Sequence, residues 1–335
     1  MFISYPIITI GGATEDIIFY TDDGVNINNR QDLLRQHLLA FEAGAKIKIN
    51  RSWPSFGGGA ANAAVNFTGL GLKTATLICL GRDNRGDQVL KNLKGQGVAT
   101  KFLSYSPSLE TGFSFVLIDH RSKERIIFSA RGANNDLKIS PAAFKYLRRA
   151  KWLYITSLSG NWLTNLKTIF KAKAALVAWN PGEIQIKAGA RRLRPFLSKT
   201  EFLFLNKDEA IELALSLPKF KTLTTTHKFF EETANLLRII KGLGPKRVVI
   251  TDGRRGAYYY DGGEIYFQAA VKEKKKIDVT GVGDAFNSSI IAGLEIYHGD
   301  IKAAMKLGAR NAARKIAHLG AQNGLIKLKK IKSMI

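Results

Sequence analysis

Cysteine is nearly missing from this sequence, since Cys79 is the only one among 335 residues. A single cysteine excludes an intrachain disulfide and a cysteine-rich zinc site, and it is typical of proteins of the reducing cytosol. Long apolar runs are missing too: nowhere do about 18 apolar residues follow one another, and the first residues carry no signal-peptide pattern. We therefore expect a cytoplasmic protein that neither spans a membrane nor is secreted.

Acidic residues are also scarce. Lys and Arg number 51 against 27 Asp and Glu, so the formal net charge is +24 at pH 7. A field of this sign attracts anions such as nucleotides, sugar phosphates, nucleic acid and anionic lipid. The excess is spread along the chain, with short clusters at 272–276 and 327–332, which is the pattern of a solvated surface. The charge alone therefore does not define the function.

Apolar, β-branched runs alternate with helical patterns along most of the chain, which is long enough to bury a large core. The runs that predict strands are 6–10, 74–80, 152–156, 175–179, 202–205 and 247–251. The helical patterns cover 60–70, 86–96, 141–150, 163–172, 208–215 and 229–241. This alternation predicts an α/β fold with a doubly wound, mainly parallel sheet flanked by helices.

Two segments, 19–56 and 112–130, interrupt this alternation. In the second, two apolar runs flank the polar turn 119–123, which indicates a β-hairpin. Residues 45–50 alternate with period two, and we expect them to join the hairpin in a small separate sheet. A β-sheet lid over a single domain, residues 1–335, is therefore predicted, with lid segments at approximately 17–56 and 111–131.

The stretch DVTGVGDAF at 278–286 precedes a run of small and apolar residues with helical character. A helix that begins here would aim the N–H groups of Gly281, Val282, Gly283 and Asp284 into one concavity, which suits a transferring phosphoryl group. Asp284 at its mouth is placed to orient and deprotonate an attacking hydroxyl. An ordinary helix-capping aspartate is the alternative, and this stretch alone leaves both interpretations open.

A second glycine cluster, GGGAANAA at 57–64, opens another helix of small residues. Gly58 and Gly59 permit a close approach of the backbone to a ligand, and Asn62 offers a donor and an acceptor to a polyol. Asp16 follows the glycines that end the first strand, and its carboxylate is suited to accept hydrogen bonds from sugar hydroxyls. A carboxylate in an ordinary loop is the alternative interpretation of Asp16, and the other motifs make it the less favoured one.

Together these two patterns resemble the two signatures of the PfkB carbohydrate kinase family, the ribokinase-like sugar and nucleoside kinases. Three further stretches resemble elements of that family: 205–209, 250–257 and the closing segment 311–322. The likeness runs from about position 6 to 325. It implies an ATP-dependent phosphotransferase with Asp284 as the catalytic base and Gly281, Val282 and Gly283 as the anion hole.

The resemblance also assigns positions on both sides of the reaction. On the acceptor side these are Asp16, Gly58, Gly59 and Asn62. On the nucleotide side they are Asn206, Glu209, Thr251, Gly253 and Asn311. Glu209, with Asn206, would help to hold Mg²⁺–ATP, the carboxylate through metal-bound water. Asp278 and Thr280, with carbonyls of the closing segment, correspond to a loop that in several relatives binds a monovalent cation such as K⁺.

The sequence departs from the family pattern in ways that leave the acceptor open. Val279 and Val282 replace the commoner Thr and Ala, which keeps the backbone geometry available. Ser159 stands where ribokinases carry a glutamate that touches the sugar, which argues against plain ribose. Arg131 ends the lid hairpin, where it would meet an anionic substrate group or lie on the surface.

The leading hypothesis is an ATP-dependent kinase for the primary hydroxyl of a sugar or a ribosyl group, with a nucleoside kinase as its rival and a phosphorylated sugar as a third option. The alternative from another class is a nucleic-acid-binding protein on an inactive kinase fold, supported by the net charge and the basic tail at 327–332. The intact glycines and carboxylates make a nucleic-acid partner the less favoured reading. An open sheet edge in the lid predicts a homodimer.

Overall fold

The structure, a computed structural model, describes residues 5–29, 37–121, 125–172, 175–220, 226–273 and 275–328. Part of the predicted hairpin turn, part of the basic cluster at 272–276 and most of the basic tail lie outside these residues. The strands are β1 (Ile7–Ile10), β2 (Thr14–Thr21), β3 (Val25–Asn28), β4 (His37–Ala40), β5 (Arg51–Gly57), β6 (Thr74–Leu77), β7 (Cys79–Leu80), β8 (Ser104–Tyr105), β9 (Phe113–Asp119), β10 (Arg125–Ala130), β11 (Trp152–Ile155), β12 (Leu176–Trp179), β13 (Phe202–Asn206), β14 (Arg247–Thr251), β15 (Gly256–Tyr260) and β16 (Tyr266–Ala269).

Helices follow or connect most of these strands. They are α1 (Gly59–Gly69), α2 (Asn84–Gly95), α3 (Pro141–Leu147), α4 (Trp162–Ile169), α5 (Glu183–Lys187), α6 (Ala190–Leu197), α7 (Lys207–Leu215), α8 (Thr226–Glu231), α9 (Thr233–Lys241), α10 (Val282–Ile296) and α11 (Ile301–Ile316). Short 3₁₀ turns lie at Gly132–Asp136 and Pro218–Phe220. In the described part of the chain, no helix combines the length and the apolar character needed to cross a membrane.

The main sheet has eight strands in the order β16-β15-β14-β13-β12-β11-β1-β6. The six strands from β14 to β6 are parallel, and β15 and β16 extend the sheet in antiparallel fashion. Every residue of β1, β6 and β11 is buried, as expected where helices cover both faces of a parallel sheet. The predicted α/β fold with a doubly wound, mainly parallel sheet is confirmed.

Two apolar cores lie on the two faces of this sheet. On one face α1, α10 and α11 contribute Phe67, Ile290 and Met305, which belong to the same core as Tyr154 and Phe204 of the sheet. The other helices from α3 to α9 pack mainly against the opposite face, where the core is larger. The face under α1 and α10 matters most for function, because both helices begin at the carboxyl edge of the sheet.

A second, four-stranded sheet stands apart from the first, in the order β10-β9-β2-β5. Strands β9 and β10 form the predicted antiparallel hairpin, with Ile127 opposite Val116. Strand β2, one of the two central lid strands, follows β1 after Gly11, Gly12 and Ala13, so the lid is joined directly to the main-sheet strand that lies next to the edge strand β6. The predicted small β-sheet lid is confirmed.

The prediction that residues 45–50 join the lid is wrong. These residues form no strand, and the fourth lid strand is β5, paired antiparallel with β2. The period-two pattern at 45–50 has no buried face, since only Ile47 is half-buried. Strand β5 contains Pro54, which a sheet tolerates here because β5 lies at the edge of the lid.

Candidate active site

The first turn of α10 lies at the centre of the candidate site. Gly281 caps the helix with a left-handed backbone, φ 73°, and among the described residues no side chain bonds to the cap. A Cβ atom on Gly281 would lie 2.6 Å from the Cβ of Ala321, so the position has no room for a side chain. The amide of Val282 makes one long bond, 3.4 Å, to the carbonyl of Val279, and no side chain among the described residues caps the turn, so an external anion would be favoured there by the helix dipole.

Asp284 stands in that first turn and is held by Asn62 of α1. The Asn62 Nδ2 donates to Asp284 Oδ2 at 2.8 Å, and Gln322 Nε2 donates to Asn62 Oδ1 at 3.0 Å. Burial raises the pKa of Asp284, while the bond from Asn62 and the charge of Arg125 oppose the rise. A carboxylate with a raised pKa and a fixed orientation has the properties of a general base. Asn62, predicted to contact the acceptor, also positions this carboxylate.

A cavity of about 280 Å³ separates Asp284 from the underside of the lid. The structure brings the predicted acceptor-side residues together here, since the lining includes Asp16, Gly58, Gly59, Asn62 and Arg131. Thr280, Gly281 and Asp284 form its floor, and Ser159 lines it as well.

Asp16 reaches this cavity from the lid strand β2 and is only 5% exposed. Thr14 Oγ1 donates to its Oδ1 at 2.9 Å, and a Cβ on Gly57 would lie 2.0 Å from its Oδ2. Burial raises the pKa of Asp16 to about 6, helped by the charges of Asp278 and Asp284 and opposed by bonds from Thr14 and Ser114. The carboxylate is therefore short of donors, which a polyhydroxylated ligand would supply.

Gly58 and Gly59 let the chain entering α1 pass close to the end of β1. Gly58 has φ 87°, and a Cβ there would lie 2.5 Å from the carbonyl oxygen of Gly12. That carbonyl accepts from the amides of Ala60 and Ala61 at 3.2 and 3.3 Å. The two glycines thus shape one wall of the cavity.

Two residues that line the same cavity, Ser157 and Thr280, each carry a buried hydroxyl without a partner. Within the described part of the chain, neither Ser157 Oγ nor Thr280 Oγ1 has a hydrogen-bond partner. Buried polar groups are nearly always satisfied in folded proteins, so two unsatisfied hydroxyls in the wall of one cavity fit a polar ligand in or beside it.

A larger cavity, of about 1270 Å³, lies on the other side of the first turn of α10. The predicted nucleotide-side residues Asn206, Thr251 and Gly253 line it, and so do Val282 and Gly283 of the helix turn. Its charged lining includes basic and acidic residues of the main domain: Lys207, Arg254, Arg255, Asp208, Glu231, Glu232 and Asp252. Its apolar lining includes Ile211, Phe230 and Phe286. Charge and apolar surface in one cleft suit a nucleotide.

Glu209 does not line this cleft. It forms a reciprocal cap at the start of α7: Asn206 N donates to Glu209 Oε2 at 2.9 Å, and Glu209 N donates to Asn206 Oδ1 at 2.8 Å. Burial raises the pKa of Glu209 to about 7, and the negative charges of Asp208, Asp284 and Glu212 add to the rise. The Glu209 carboxylate is therefore one of several acidic side chains that lie close together beside the cleft.

Asn311 is not brought to the cleft either. Its side chain is fully buried between α10 and α11, where Nδ2 donates to Asn66 Oδ1 at 2.7 Å and to Ser289 Oγ at 2.8 Å. Its Oδ1 accepts from the amide of Ile326 at 2.8 Å. The neighbouring Ala312 lines the cleft in its place. Asn311 thus supports the helix pair that carries Asp284.

Asp278 and Thr280, predicted to bind a monovalent cation, lie in a buried loop just before α10. Asp278 is 1% exposed; its Oδ1 accepts from Thr280 N at 2.7 Å and its Oδ2 accepts from Gly320 N at 2.8 Å. The ammonium of Lys315 also lies here, 3.5 Å from Oδ2. Desolvation lowers the pKa of Lys315 to about 8, while Asp278 opposes the fall. Nothing in the sequence pattern had singled out this lysine.

Arg125 is a second residue that the sequence reasoning missed. It starts the lid strand β10 and lines both cavities, so it bridges the lid and the nucleotide cleft. Ile127 and Ser129 line the acceptor cavity too. The period-two alternation of the strand leads from these residues to Arg131, which was predicted, so the same pattern could have identified Arg125.

The doubly wound sheet, the lid and two cavities that meet at one helix N-terminus define the class of ribokinase-like phosphotransferases. The pfkB family carbohydrate kinase model matches residues 31–328, and the chain belongs to this family.

Comparisons with individual relatives support the same family assignment. The nucleoside kinase of Methanocaldococcus jannaschii is 25% identical over 288 residues, 85% of this chain and 86% of the relative. The ribokinase of Bacillus subtilis is 26% identical over 276 residues, 80% of this chain and 84% of the relative. The structure of Arabidopsis thaliana ribokinase complexed with ribose and ATP superposes with a TM-score of 0.78 at 19% identity, covering 99% of both chains.

These findings confirm the predicted family and the predicted enzyme class. The chain is an ATP-dependent kinase of the sugar and nucleoside kinase group. They also favour the enzyme over the nucleic-acid-binding alternative.

Proposed function

We propose that this kinase transfers the γ-phosphoryl group of ATP to a primary hydroxyl of a sugar or ribosyl group bound beneath the lid. The observation that carries the proposal is the position of the first turn of α10 between two cavities. Val282 and Gly283 line the larger cavity, whereas Gly281 and Asp284 line the smaller one. A nucleotide in one and an alcohol in the other would meet at this turn.

The chemistry follows from the groups at the turn. Asp284 takes the proton of the attacking hydroxyl, and Asn62 keeps the carboxylate oriented toward it. The amides of Gly281, Val282 and Gly283 stabilise the charge on the transferring group. Arg125, which borders both cavities, brings a positive charge from the lid to the same place. Closure of the lid over the acceptor would then complete the charge arrangement.

The residues beside the cleft fit a Mg²⁺ ion held with the nucleotide. Glu209 is a hard oxygen ligand whose pKa is raised first by burial and then by the negative charges around it, which a divalent cation would neutralise. In the described residues no group of three or more metal-ligating side chains exists, so the protein alone offers no cage. Glu209 would hold the ion through water, and the ion would neutralise charge on the phosphates.

Among the acceptors that carry a primary hydroxyl, a nucleoside is the one that the cavity lining favours. Its support is the apolar part of the lid underside, where Val116 and Ile127 line the cavity and Ile127 is 44% exposed. An exposed apolar side chain facing the acceptor suits a nucleobase better than a bare sugar. Ser159 in the lining, rather than a carboxylate, points the same way. Arg131 lines the same cavity, and its positive charge would suit the phosphate of a phosphorylated sugar, which is therefore a third candidate acceptor.

A panel of free sugars, sugar phosphates and nucleosides, each assayed for ADP release, ranks these acceptors. We expect nucleosides to have the highest kcat/KM. ADP release with free sugars alone would assign the enzyme to the sugar branch of the family. No release with any of the three classes would contradict the proposed function.

The role of Asp284 is tested by Asp284→Asn, which keeps the shape of the side chain and removes the base. We expect turnover to fall by at least about 10²-fold, the low end of what a positioned base contributes, with a thermal unfolding midpoint no lower than that of the unaltered protein. The matched control is Asp87→Asn, an exposed aspartate in the first turn of α2, which should retain full turnover. Near-normal turnover in Asp284→Asn would show that Asp284 is not the catalytic base.

We further propose that the chain forms a homodimer through the lid. The lid face turned away from the cavity carries Phe115, 38% exposed, and Phe128, 56% exposed, directly opposite each other in the hairpin. Phe19 of β2 stacks on Phe115, with ring centroids 5.6 Å apart. An aromatic face on a small sheet with an open edge strand is a surface that a second copy would cover.

A further inference from the structure

The side chain of Lys315 is buried against the loop that precedes α10. The residue lies on α11, and its side chain has 0% exposure. Its Nζ donates to the main-chain oxygens of Asp278 and His318, each at 3.0 Å, and lies 3.5 Å from Asp278 Oδ2. An ammonium has three N–H donors, and three oxygens surround this one. The charge is therefore buried with the partners that such burial requires.

The ammonium joins two segments of the site. Asp278 leads through Thr280 to the left-handed cap Gly281, whereas His318 and Gly320 follow α11. The Asp278 carboxylate completes the junction, since Oδ1 accepts from Thr280 N at 2.7 Å and Oδ2 from Gly320 N at 2.8 Å. Because these contacts set the position of Gly281, the ammonium acts on the geometry of the anion hole without touching the substrate.

The same oxygens leave no place for an added monovalent cation. The family resemblance assigned such a cation to the loop of Asp278 and Thr280 together with carbonyls of the closing segment. In this chain Lys315 Nζ already bonds to the carbonyl of Asp278 and to a carbonyl of the closing segment. A second positive charge in this space would meet repulsion in a medium of low dielectric. Thr280 Oγ1 makes no bond to this group of atoms, and Thr280 lines the acceptor cavity.

We infer that Lys315 is a built-in cation, a positioning residue whose ammonium does the work of a bound monovalent ion and makes the kinase independent of added K⁺. For its effect on turnover the inference rests on the proposed function, whereas its effect on folding does not. Turnover measures the first effect and the thermal unfolding midpoint measures the second, so each can be contradicted without the other.

The first test compares salts on the unaltered protein. Thermal unfolding without substrate is followed in chloride salts of K⁺, NH₄⁺ and tetramethylammonium at equal ionic strength. Tetramethylammonium is the control because it is too large for a site lined by three oxygens. We expect midpoints that agree to about 1 °C. ADP release with the best acceptor of the panel should also be the same in all three salts.

The second test opens the site. Lys315→Ala removes the ammonium and leaves room for an ion, and Lys315→Met removes the charge but fills the space. In tetramethylammonium we expect both variants to lose at least about tenfold in turnover, because small displacements of reacting groups are costly. K⁺ or NH₄⁺ should raise the unfolding midpoint and turnover of Lys315→Ala, the midpoint by at least about 2 °C, and should leave Lys315→Met unchanged. Lys306→Ala, an exposed lysine on the same helix, should behave like the unaltered protein.

Three results would overturn the inference. They are a K⁺-dependent midpoint or turnover of the unaltered protein, full turnover in Lys315→Met, and an Ala variant that no cation restores. If Lys315→Ala does not fold in any salt, the unaltered protein and Lys315→Met still decide. If no acceptor gives ADP release, the proposed function fails, while the unfolding midpoints continue to test the built-in cation.

Discussion

At the scale of single residues, the site concentrates negative charge that the fold itself does not neutralise. Burial raises the pKa of Asp16, Glu209 and Asp284, and the negative charge of Asp284 adds to the rise at Asp16 and at Glu209. Such clusters destabilise the unliganded fold and mark functional sites. Ligand hydroxyls and a phosphate-bound cation are the partners that would relieve them.

Asp16 allows this cost to be measured. A native pKa of about 6, above the ordinary 3.8, means that the folded state binds its proton more tightly than the unfolded state. The unfolding free energy contributed by this group is therefore highest below about pH 4 and falls as the pH rises through 6. We expect Asp16→Asn to raise the unfolding free energy at pH 8 by about 1–3 kcal/mol and to leave it little changed at pH 4.

Denaturant unfolding at both pH values checks this prediction, and acceptor kinetics supply the second half of it. Removal of the carboxylate should lower kcat/KM for the acceptor even as it stabilises the protein. In the unaltered enzyme, kcat/KM should fall as the pH drops below about 6, because the protonated Asp16 accepts fewer hydroxyl bonds. A variant that is less stable at pH 8 would contradict the pKa assignment.

At the same scale, the sequence allowed most of the acceptor side to be predicted but less of the rest. Asp16, Asn62 and Arg131 line one cavity as expected because strand ends and helix starts carried them there. Lys315 was missed because a lysine on a helix is ordinarily solvated, and only tertiary packing shows that this one is buried. Asn311 was placed on the nucleotide because a sequence does not show which face of a helix meets a neighbouring helix.

At the scale of elements, the start of α10 contains two glycines, and a different physical constraint explains glycine at each position. Gly281 has φ 73° and lies against Ala321, whereas a Cβ on Gly283 would meet nothing within 4 Å among the described residues. Gly281→Ala should therefore destabilise the fold by about 1–3 kcal/mol through strain and overpacking.

Gly283→Ala should fold as well as the unaltered protein, because alanine favours a helix by about 0.5–1 kcal/mol over glycine. Its methyl group would enter the nucleotide cleft beside the amides that hold the phosphoryl group, and we expect turnover to drop by at least about tenfold. Thermal unfolding and ADP release separate the two effects. A Gly283→Ala variant with full turnover would show that the cleft side of this turn does not contact phosphate.

Five of the six parallel strands of the main sheet were predicted to within one or two residues, because such strands are continuous apolar runs. The run 74–80 instead divides into β6 and β7, and the antiparallel strands β15 and β16 were not among the predicted runs. Two further failures have physical causes. The lid strand β5 contains a proline, which sequence patterns treat as a strand breaker except at an edge. The helical pattern at 229–241 is broken at Glu232 into α8 and α9, although its apolar spacing is continuous. Edges and breaks of this kind depend on neighbours that are far away in the chain.

At the scale of the whole molecule, the lid has two faces with two tasks. The inner face carries Asp16 and Arg125 toward the ligands, and the outer face carries the aromatic cluster of Phe19, Phe115 and Phe128. Successive residues of each lid strand point to opposite faces, so the same strands carry both the aromatic cluster and the acceptor site. Dimer contacts on the outer face would therefore stiffen the strands that hold the acceptor on the inner face. Oligomeric state and acceptor affinity should therefore change together.

Phe128→Glu tests this coupling because it places a charge in the middle of the exposed aromatic face without touching the cavity lining. We expect the unaltered protein to sediment as a dimer at micromolar concentration and the variant as a monomer, with a raised KM for the acceptor and an unchanged KM for ATP. Ile184→Glu, at a 37% exposed apolar residue on α5 of the main domain, is the matched control and should remain dimeric. A monomeric unaltered protein in light scattering would refute the lid dimer. A monomeric Phe128→Glu with the original KM would show that the dimer forms there without supporting the acceptor site.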